Sequence, residues 1–214
     1  MKTTYKRFDF VDGLTIYKRN LPHWRQTGCA YFVTFRLADS IPQALLREWA
    51  TIREGWIANH PQPWTEAELA EFQEKFTEQM EEYLHAGSGS CLLRKQHLAR
   101  VVADALNCFN GERYALGDYA VMPNHVHAIV HPFDGFDLDN ISHSWKSYTS
   151  KEINRLAGQE GQVWAEESYD HIIRHEGEML RISNYIQANP SKANLRPGTY
   201  LCGGSTKDWQ CINS

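Results

Sequence analysis

Two extended runs held two residues apart constrain this chain more than any other feature. Residues 114–122 (YALGDYAVM) and 125–131 (HVHAIVH) are joined by Pro123 and Asn124 alone, a short turn between two strands. A third extended run, residues 29–37, puts Tyr31, Val33, Phe35 and Leu37 on one face and Thr34 and Arg36 on the other, the period-2 pattern of a half-buried strand. The helices must be arranged around these strands.

Pro42, after Asp39 and Ser40, starts a helix in which Leu45, Trp49, Ile52 and Trp56 recur at helical spacing until the HPQP run at 60–63. Thr65 and Glu68 form a capping box for a second helix with the apolar stripe Leu69, Phe72, Phe76, Met80 and Tyr83, and the sequence AGSGS at 86–90 ends it. A third helix, about 91–109, carries Leu98, Val101, Val102, Ala105 and Leu106 and stops at Asn110-Gly111. After the strand pair come a helix at about 138–156, a strand near 163–174, and a last helix from 176 to about 189, ended by Pro190. Without residues 41–90 the order is strand, helix, strand, strand, helix, strand, helix. That is an α+β, ferredoxin-like (split βαβ) antiparallel sheet with a C-terminal helix, in one domain spanning 1–214 with a helical insertion at 41–90.

No stretch approaches the ~18 apolar residues of a membrane span, and the start lacks a basic-then-apolar signal pattern, so a cytoplasmic location without a membrane partner is expected. Five cysteines without a CxxC pair argue against a zinc ribbon or a disulfide framework and are expected as reduced, mostly buried thiols.

His125 and His127 stand at i and i+2 of a strand, so both imidazoles leave the same face and can share one divalent cation. Among 10 histidines an HxH can also arise by chance and be structural. Tyr185 and Asn189, four apart on the last helix, present a phenol and an amide together. Tyr185 can equally be the edge of the stripe formed by Met179, Ile182 and Ile186. If that helix crosses the sheet near the histidines, Asn189 supplies a third ligand and Tyr185 sits beside a metal-bound phosphate. A phenol with pKa ~10 is a poor nucleophile at neutral pH, so such a metal would be needed for phosphoryl transfer from DNA to tyrosine.

Residues 121–130 (VMPNHVHAIV) resemble the HUH motif of the single-tyrosine insertion-sequence transposases, specifically the REP-associated tyrosine transposases. The blocks YDHIIR at 169–174 and YIQANPSKANL at 185–195 resemble the next two of that group, and YFVTFRL at 31–37 its first strand, in matching order over about residues 29–197. The resemblance implies that His125, His127 and Asn189 bind Mg2+ or Mn2+ and that Tyr185 is the nucleophile, leaving a 5′-phosphotyrosine and a free 3′-hydroxyl. It implies single-stranded DNA, in particular hairpins of repetitive extragenic palindromes (REP), as substrate, a nucleoid-associated location, and a monomer acting in cis or a homodimer. The insertion at 41–90 is longer than a minimal member has, and His171 departs from the expected block.

For DNA, Lys146 and Lys151 beside Trp145 and Tyr148 mix cations with stacking rings, although an ordinary amphipathic helix reads the same way. Arg174 and Lys192 flank the tyrosine helix, Arg36 lies on the polar face of the first strand, and Lys6, Arg7, Lys18 and Arg19 read equally as a basic N-terminal arm for DNA or as an ordinary solvated one. The formal charge of -4 at first opposes DNA binding, but ten acidic against three basic residues between Asp39 and Ser90 put -7 there and leave +3 elsewhere. The insertion is therefore expected to face away from DNA or to limit where it lies. Rival readings are a domesticated nucleic-acid-binding module without cleavage, a hydrolytic metallonuclease, and a protein-interaction module with a purely structural histidine pair.

Overall fold

The computed structural model describes residues 2–9, 13–18, 22–61 and 64–212. Arg19 of the expected arm and Pro63 of the expected helix break lie outside them. In chain order the elements are β1 (Thr4–Lys6), β2 (Thr15–Lys18), β3 (Pro22–Arg25), β4 (Ala30–Arg36), α1 (Gln43–Asn59), α2 (Glu66–His85), α3 (Gln96–Asn107), β5 (Tyr114–Val121), β6 (His125–Pro132), α4 (Leu138–Ala157), β7 (Tyr169–Ile173), α5 (Glu176–Lys192), β8 (Leu201–Gly203) and β9 (Gln210–Ile212). A 3-10 turn, Leu92–Arg94, replaces the expected start of the third helix.

The main sheet runs β7-β4-β6-β5-β8, with every neighbouring pair antiparallel. Its first four strands carry the split βαβ order expected from the sequence, which makes the protein α+β and ferredoxin-like. The strands are buried on both faces: Tyr31, Val33 and Phe35 join the core under α3 and α4, while Ala30 and Phe32 join a second core under α5. On the first side the Trp145 ring stacks on Phe35 and donates its Nε1–H to the Tyr114 hydroxyl at 2.9 Å. On the second side Met179 and Ile186 of α5 pack on Ile129, Met122 and Ile173. The strand read as half-buried is thus a central strand between two helical layers.

Asp118, at a bulge in β5, holds α5 in place. Its carboxylate accepts from Ser183 Oγ at 2.9 Å and Gln187 Nε2 at 2.9 Å, and from the Thr206 hydroxyl at 2.7 Å. The C-terminal tail is tied to the same group, which adds β8 to the sheet edge beside β5.

Helix α5 does not stop at Pro190 but runs to Lys192. Pro190 falls in the last turn, where its missing N–H costs one ladder bond, and Ala193 N still reaches the Asn189 carbonyl at 3.0 Å. The strand expected across 163–174 is confined to Tyr169–Ile173, with Trp164 contributing a single bridge to Leu37. Strands β1, β2, β3, β8 and β9 are three or four residues long, too short to show a period in sequence. Of the five free thiols only Cys29 and Cys91 are buried, so the expectation of mostly buried cysteines does not hold. No helix among the described residues is long and apolar enough to cross a membrane.

The insertion returns to its point of departure. Ser90 N–H donates to Asp39 Oδ2 at 2.7 Å, and Gly89 makes the crossing possible with φ +85°, where an added Cβ would lie 2.5 Å from the Asp39 carbonyl oxygen. Thr65 and Glu68 form the reciprocal capping box that opens α2. Phe72 and Phe76 of α2 pack on Trp56 of α1, with ring centroids 5.2 and 6.4 Å apart, and Tyr83 packs on Trp49 at 5.3 Å.

Candidate active site

His125 and His127 project from β6 on the α5 side of the sheet and are 1% and 0% exposed. Across the ladder His127 pairs with Thr34, whose Oγ1 lies 2.8 Å from His127 Nδ1. His125 Nδ1 lies 2.8 Å from Asn124 Oδ1. The Asn124 amide nitrogen is already committed to the carbonyls of Leu84 and Ser88 at 3.1 and 3.2 Å, so its oxygen faces the ring. An amide oxygen only accepts; His125 Nδ1 therefore carries the proton and Nε2 the lone pair. The Nε2 atoms of both histidines are buried and have no hydrogen-bond partner among the described residues. Orphaned imidazole nitrogens aimed into one space are what a metal ligand pair requires.

Helix α5 brings the tyrosine and the amide to this face, as the sequence reading expected. The Tyr185 ring lies 5.4 Å from the His127 ring and meets Phe32 edge-on at 6.0 Å. Asn189 is fully buried, its Oδ1 3.1 Å from His85 Nε2 and its Nδ2 without a partner among the described residues.

Two further side chains enter from α2. The Tyr185 hydroxyl donates to Glu81 Oε2 at 2.5 Å, and the same oxygen lies 3.4 Å from His127 Nε2 and 3.8 Å from His85 Nε2. Glu81 Oε1 is buried without a partner among the described residues. Glu81, His85 and His125 each offer one ligand atom within 4.8 Å of the others. Burial alone would raise the Glu81 carboxyl, but His127, His125 and the Tyr185 hydroxyl outweigh it and hold it well below the usual carboxylate range. Burial, then His127, push His125 well below the usual histidine value despite Glu81, so it stays neutral. Burial and the Glu81 carboxylate push the Tyr185 phenol up. The cluster thus sets the His pair, with His125 neutral and its Nε2 lone pair free, beside an ionised carboxylate that holds a protonated phenol.

Sequence reasoning missed Glu81, His85, Asn124 and Thr34. The Glu81/His85 spacing of four carried the same signal as Tyr185/Asn189, but off the apolar stripe of a helix with no strand pattern to pair it with.

The basic candidates divide between the two sides of the sheet. Lys192 Nζ sits 5.1 Å from the Tyr185 ring centroid. Arg36, on the histidine face, donates to the Leu37 carbonyl and the Ser40 hydroxyl, both at 3.2 Å. It lines a cleft of about 120 Å3 beside Thr34, together with Trp49, Arg53, Phe76 and Tyr169. Arg174 follows β7, its backbone N–H bonded to Glu178 at 2.7 Å. Lys146, which donates to the Glu166 carbonyl at 2.7 Å, and the exposed Lys151 lie on α4, across the sheet from Tyr185. His171, which had no assigned role, meets Glu178 of α5 at 3.0 Å. His131 shares the face of the pair but is spent on packing, 3.2 Å from the Cys29 carbonyl and beside Trp209.

No protein-family model matches the chain, and comparison with curated proteins returns no match. Among solved structures the chain is similar to a REP-associated tyrosine transposase bound to a REP hairpin, with 16% identity and a TM-score of 0.45 over 82% of this chain and 72% of that one. It is also similar to a proposed transposase from Deinococcus radiodurans R1, with 14% identity and a TM-score of 0.33 over 75% of this chain and 89% of that one.

Proposed function

We propose that this chain cleaves and rejoins single-stranded DNA through a covalent bond to Tyr185. The observation that carries the reading is the meeting, in one buried cluster, of a helix-borne phenol with two imidazoles whose Nε2 atoms have no hydrogen-bond partner among the described residues. In the step, Tyr185 Oη bonds to the scissile phosphorus and the bond to the 3′ oxygen breaks. The phenolic proton, held in a hydrogen bond to Glu81 Oε2, is released to solvent as the Oη–P bond forms, and the departing 3′ oxygen takes a proton from solvent. The 5′-phosphotyrosine conserves the bond energy, so the reverse attack rejoins a strand. A divalent ion, Mg2+ or Mn2+, bound by His125, His127 and Asn189, would polarise the phosphate and neutralise charge in the transition state. Lys192 beside the Tyr185 ring is positioned for the incoming phosphate. The Arg36 cleft, with Trp49 and Tyr169, has the mix of cation and ring that a single strand uses. Arg174, Lys146 and Lys151 would contact more distant parts of a hairpin. Tyr185 packs beside the His pair of its own chain, the arrangement that action in cis needs.

The test is incubation with labelled single-stranded hairpin DNA and Mn2+. The wild type gives a denaturant-resistant adduct that chelator abolishes, and Tyr185→Phe gives none. Hairpin binding without an adduct, indifferent to chelator and to Tyr185→Phe, would make the chain a non-cleaving binding module. Cleavage that survives Tyr185→Phe would make it a hydrolytic nuclease.

A further inference from the structure

We propose that the helical insertion is part of the metal centre: Glu81 and His85 of α2 are ligands alongside His125 and His127, and the imidazole-rich set selects a nitrogen-preferring ion such as Co2+ or Zn2+ over Mg2+. This rests on reading His125 and His127 as ligands.

Glu81 and His85 are one helical turn apart, so they leave α2 on the same side, and that side meets the His strand. Two atoms bound to one ion at ~2.1 Å are at most ~4.2 Å apart. Glu81 Oε2 stands 3.4 Å from His127 Nε2 and 3.8 Å from His85 Nε2, inside that limit; on binding, His85 exchanges its Nε2 contact with Asn189 Oδ1 for the ion and carries its proton on Nδ1. The wider group of Glu81, His85 and His125 lies within 4.8 Å, a gap that side-chain rotation of a few tenths of an ångström at each ligand closes.

A purely structural contact does not account for the unused atoms. Glu81 Oε1, His125 Nε2, His127 Nε2 and Asn189 Nδ2 are all buried without a partner among the described residues. An ion pair of Glu81 with His127 would leave the first two unsatisfied. One cation chelated by both Glu81 oxygens satisfies Oε1 and both imidazoles, and Oε2 also accepts from the Tyr185 hydroxyl. The frame for this is built in, because Asn124 orients His125 and, through the Leu84 and Ser88 carbonyls, fixes the end of α2 that carries Glu81 and His85.

Three imidazoles and one carboxylate are a poor match for Mg2+, which prefers oxygen and retains water, and a good one for later first-row ions. The experiment is Co2+ titration of the full chain, read by calorimetry and by visible absorption of the bound ion. It compares the wild type with Glu81→Gln, His85→Gln and His125→Ala, each checked for native circular dichroism. The wild type is expected to bind one Co2+ that a large excess of Mg2+ does not displace. Glu81→Gln and His85→Gln should each weaken binding at least tenfold and alter the spectrum, and His125→Ala should abolish binding. Wild-type affinity and spectrum in both α2 variants, with loss only in His125→Ala, would overturn the insertion's role and leave the His pair as the centre. Displacement by equimolar Mg2+ would overturn the selectivity. Absence of binding by the wild type, or binding unaffected by His125→Ala, would overturn this proposal and the metal reading beneath it together.

Discussion

The side-chain amide of Asn124 joins three parts of the site. Its oxygen holds the His125 ring, and its nitrogen donates to two carbonyls at the end of α2. Replacing it by alanine leaves His125 free to turn and takes one donor from each of the Leu84 and Ser88 carbonyls. Asn124→Ala is expected to cost about 2 kcal/mol of stability and 10- to 100-fold in metal affinity, the usual penalty for losing an outer partner of a liganding histidine. Urea unfolding and Co2+ titration measure the two effects separately, and unchanged affinity in a destabilised protein would sink the positioning role. At this scale sequence discloses residues whose partners are nearby along a regular element. His125 and His127 were legible because a strand sends i and i+2 to one face, and Tyr185 and Asn189 because a helix does so at i and i+4. Asn124 read only as a turn residue, since two of its three partners, the Leu84 and Ser88 carbonyls, lie 40 and 36 positions away. Glu81 was hidden by its own helix. It stands nine residues, about two and a half turns, beyond Phe72, which puts it opposite the apolar stripe. That stripe packs on α1, so α2 is covered on both sides, and a pattern of hydrophobicity identifies only the apolar one.

Helix α5 must be held at the right height on the sheet for Tyr185 to meet the His strand, and its anchors are polar. Asp118 grips its middle through Ser183 and Gln187. Glu178 grips its start, accepting from the Arg174 backbone at 2.7 Å and meeting His171 of β7 at 3.0 Å. Burial would raise the Glu178 carboxyl, but the contacts with His171 and Arg174 win and lower it to about 2. A carboxyl depressed in the folded state adds stability that is complete above its unfolded value and is lost as pH falls through its folded one. Glu178→Gln is therefore expected to cost about 3 kcal/mol at pH 7, a deficit that narrows below about pH 4.5 and closes near pH 2. Denaturant unfolding of both proteins across that range checks it, and a deficit independent of pH would mean that Glu178 acts through packing alone. The strands and α3, α4 and α5 were legible because their periods are long. The tail strand β8 was not, because it depends on a tertiary bond to Asp118, and the run of α5 past Pro190 was not, because a proline in the last turn leaves the local bond from Ala193 to Asn189 intact.

Over the whole molecule the charge is divided, with the excess of acid in the insertion. The structure sets that acid next to the site, since Glu81 of the insertion touches Tyr185 and α1 and α2 both line the cleft that contains Arg36. If a DNA strand binds at Tyr185 as proposed, an insertion so placed does not face away from it, and its exposed carboxylates would repel the phosphates at low salt. Removing the whole insertion would also remove Glu81, so the charge is better tested at exposed residues away from the cluster. Glu48, Glu54 and Glu82 are exposed on α1 and α2. The triple variant Glu48→Gln, Glu54→Gln, Glu82→Gln is expected to bind single-stranded hairpin DNA several-fold more tightly than the wild type at about 50 mM salt. The gain should disappear above about 0.5 M, where the Debye length falls to a few ångströms. Fluorescence anisotropy titrations at several salt concentrations measure this directly. A gain that persisted at high salt would point to changed contacts rather than field, and no gain at low salt would place the DNA path on the far side of the sheet, along α4 with Lys146 and Lys151.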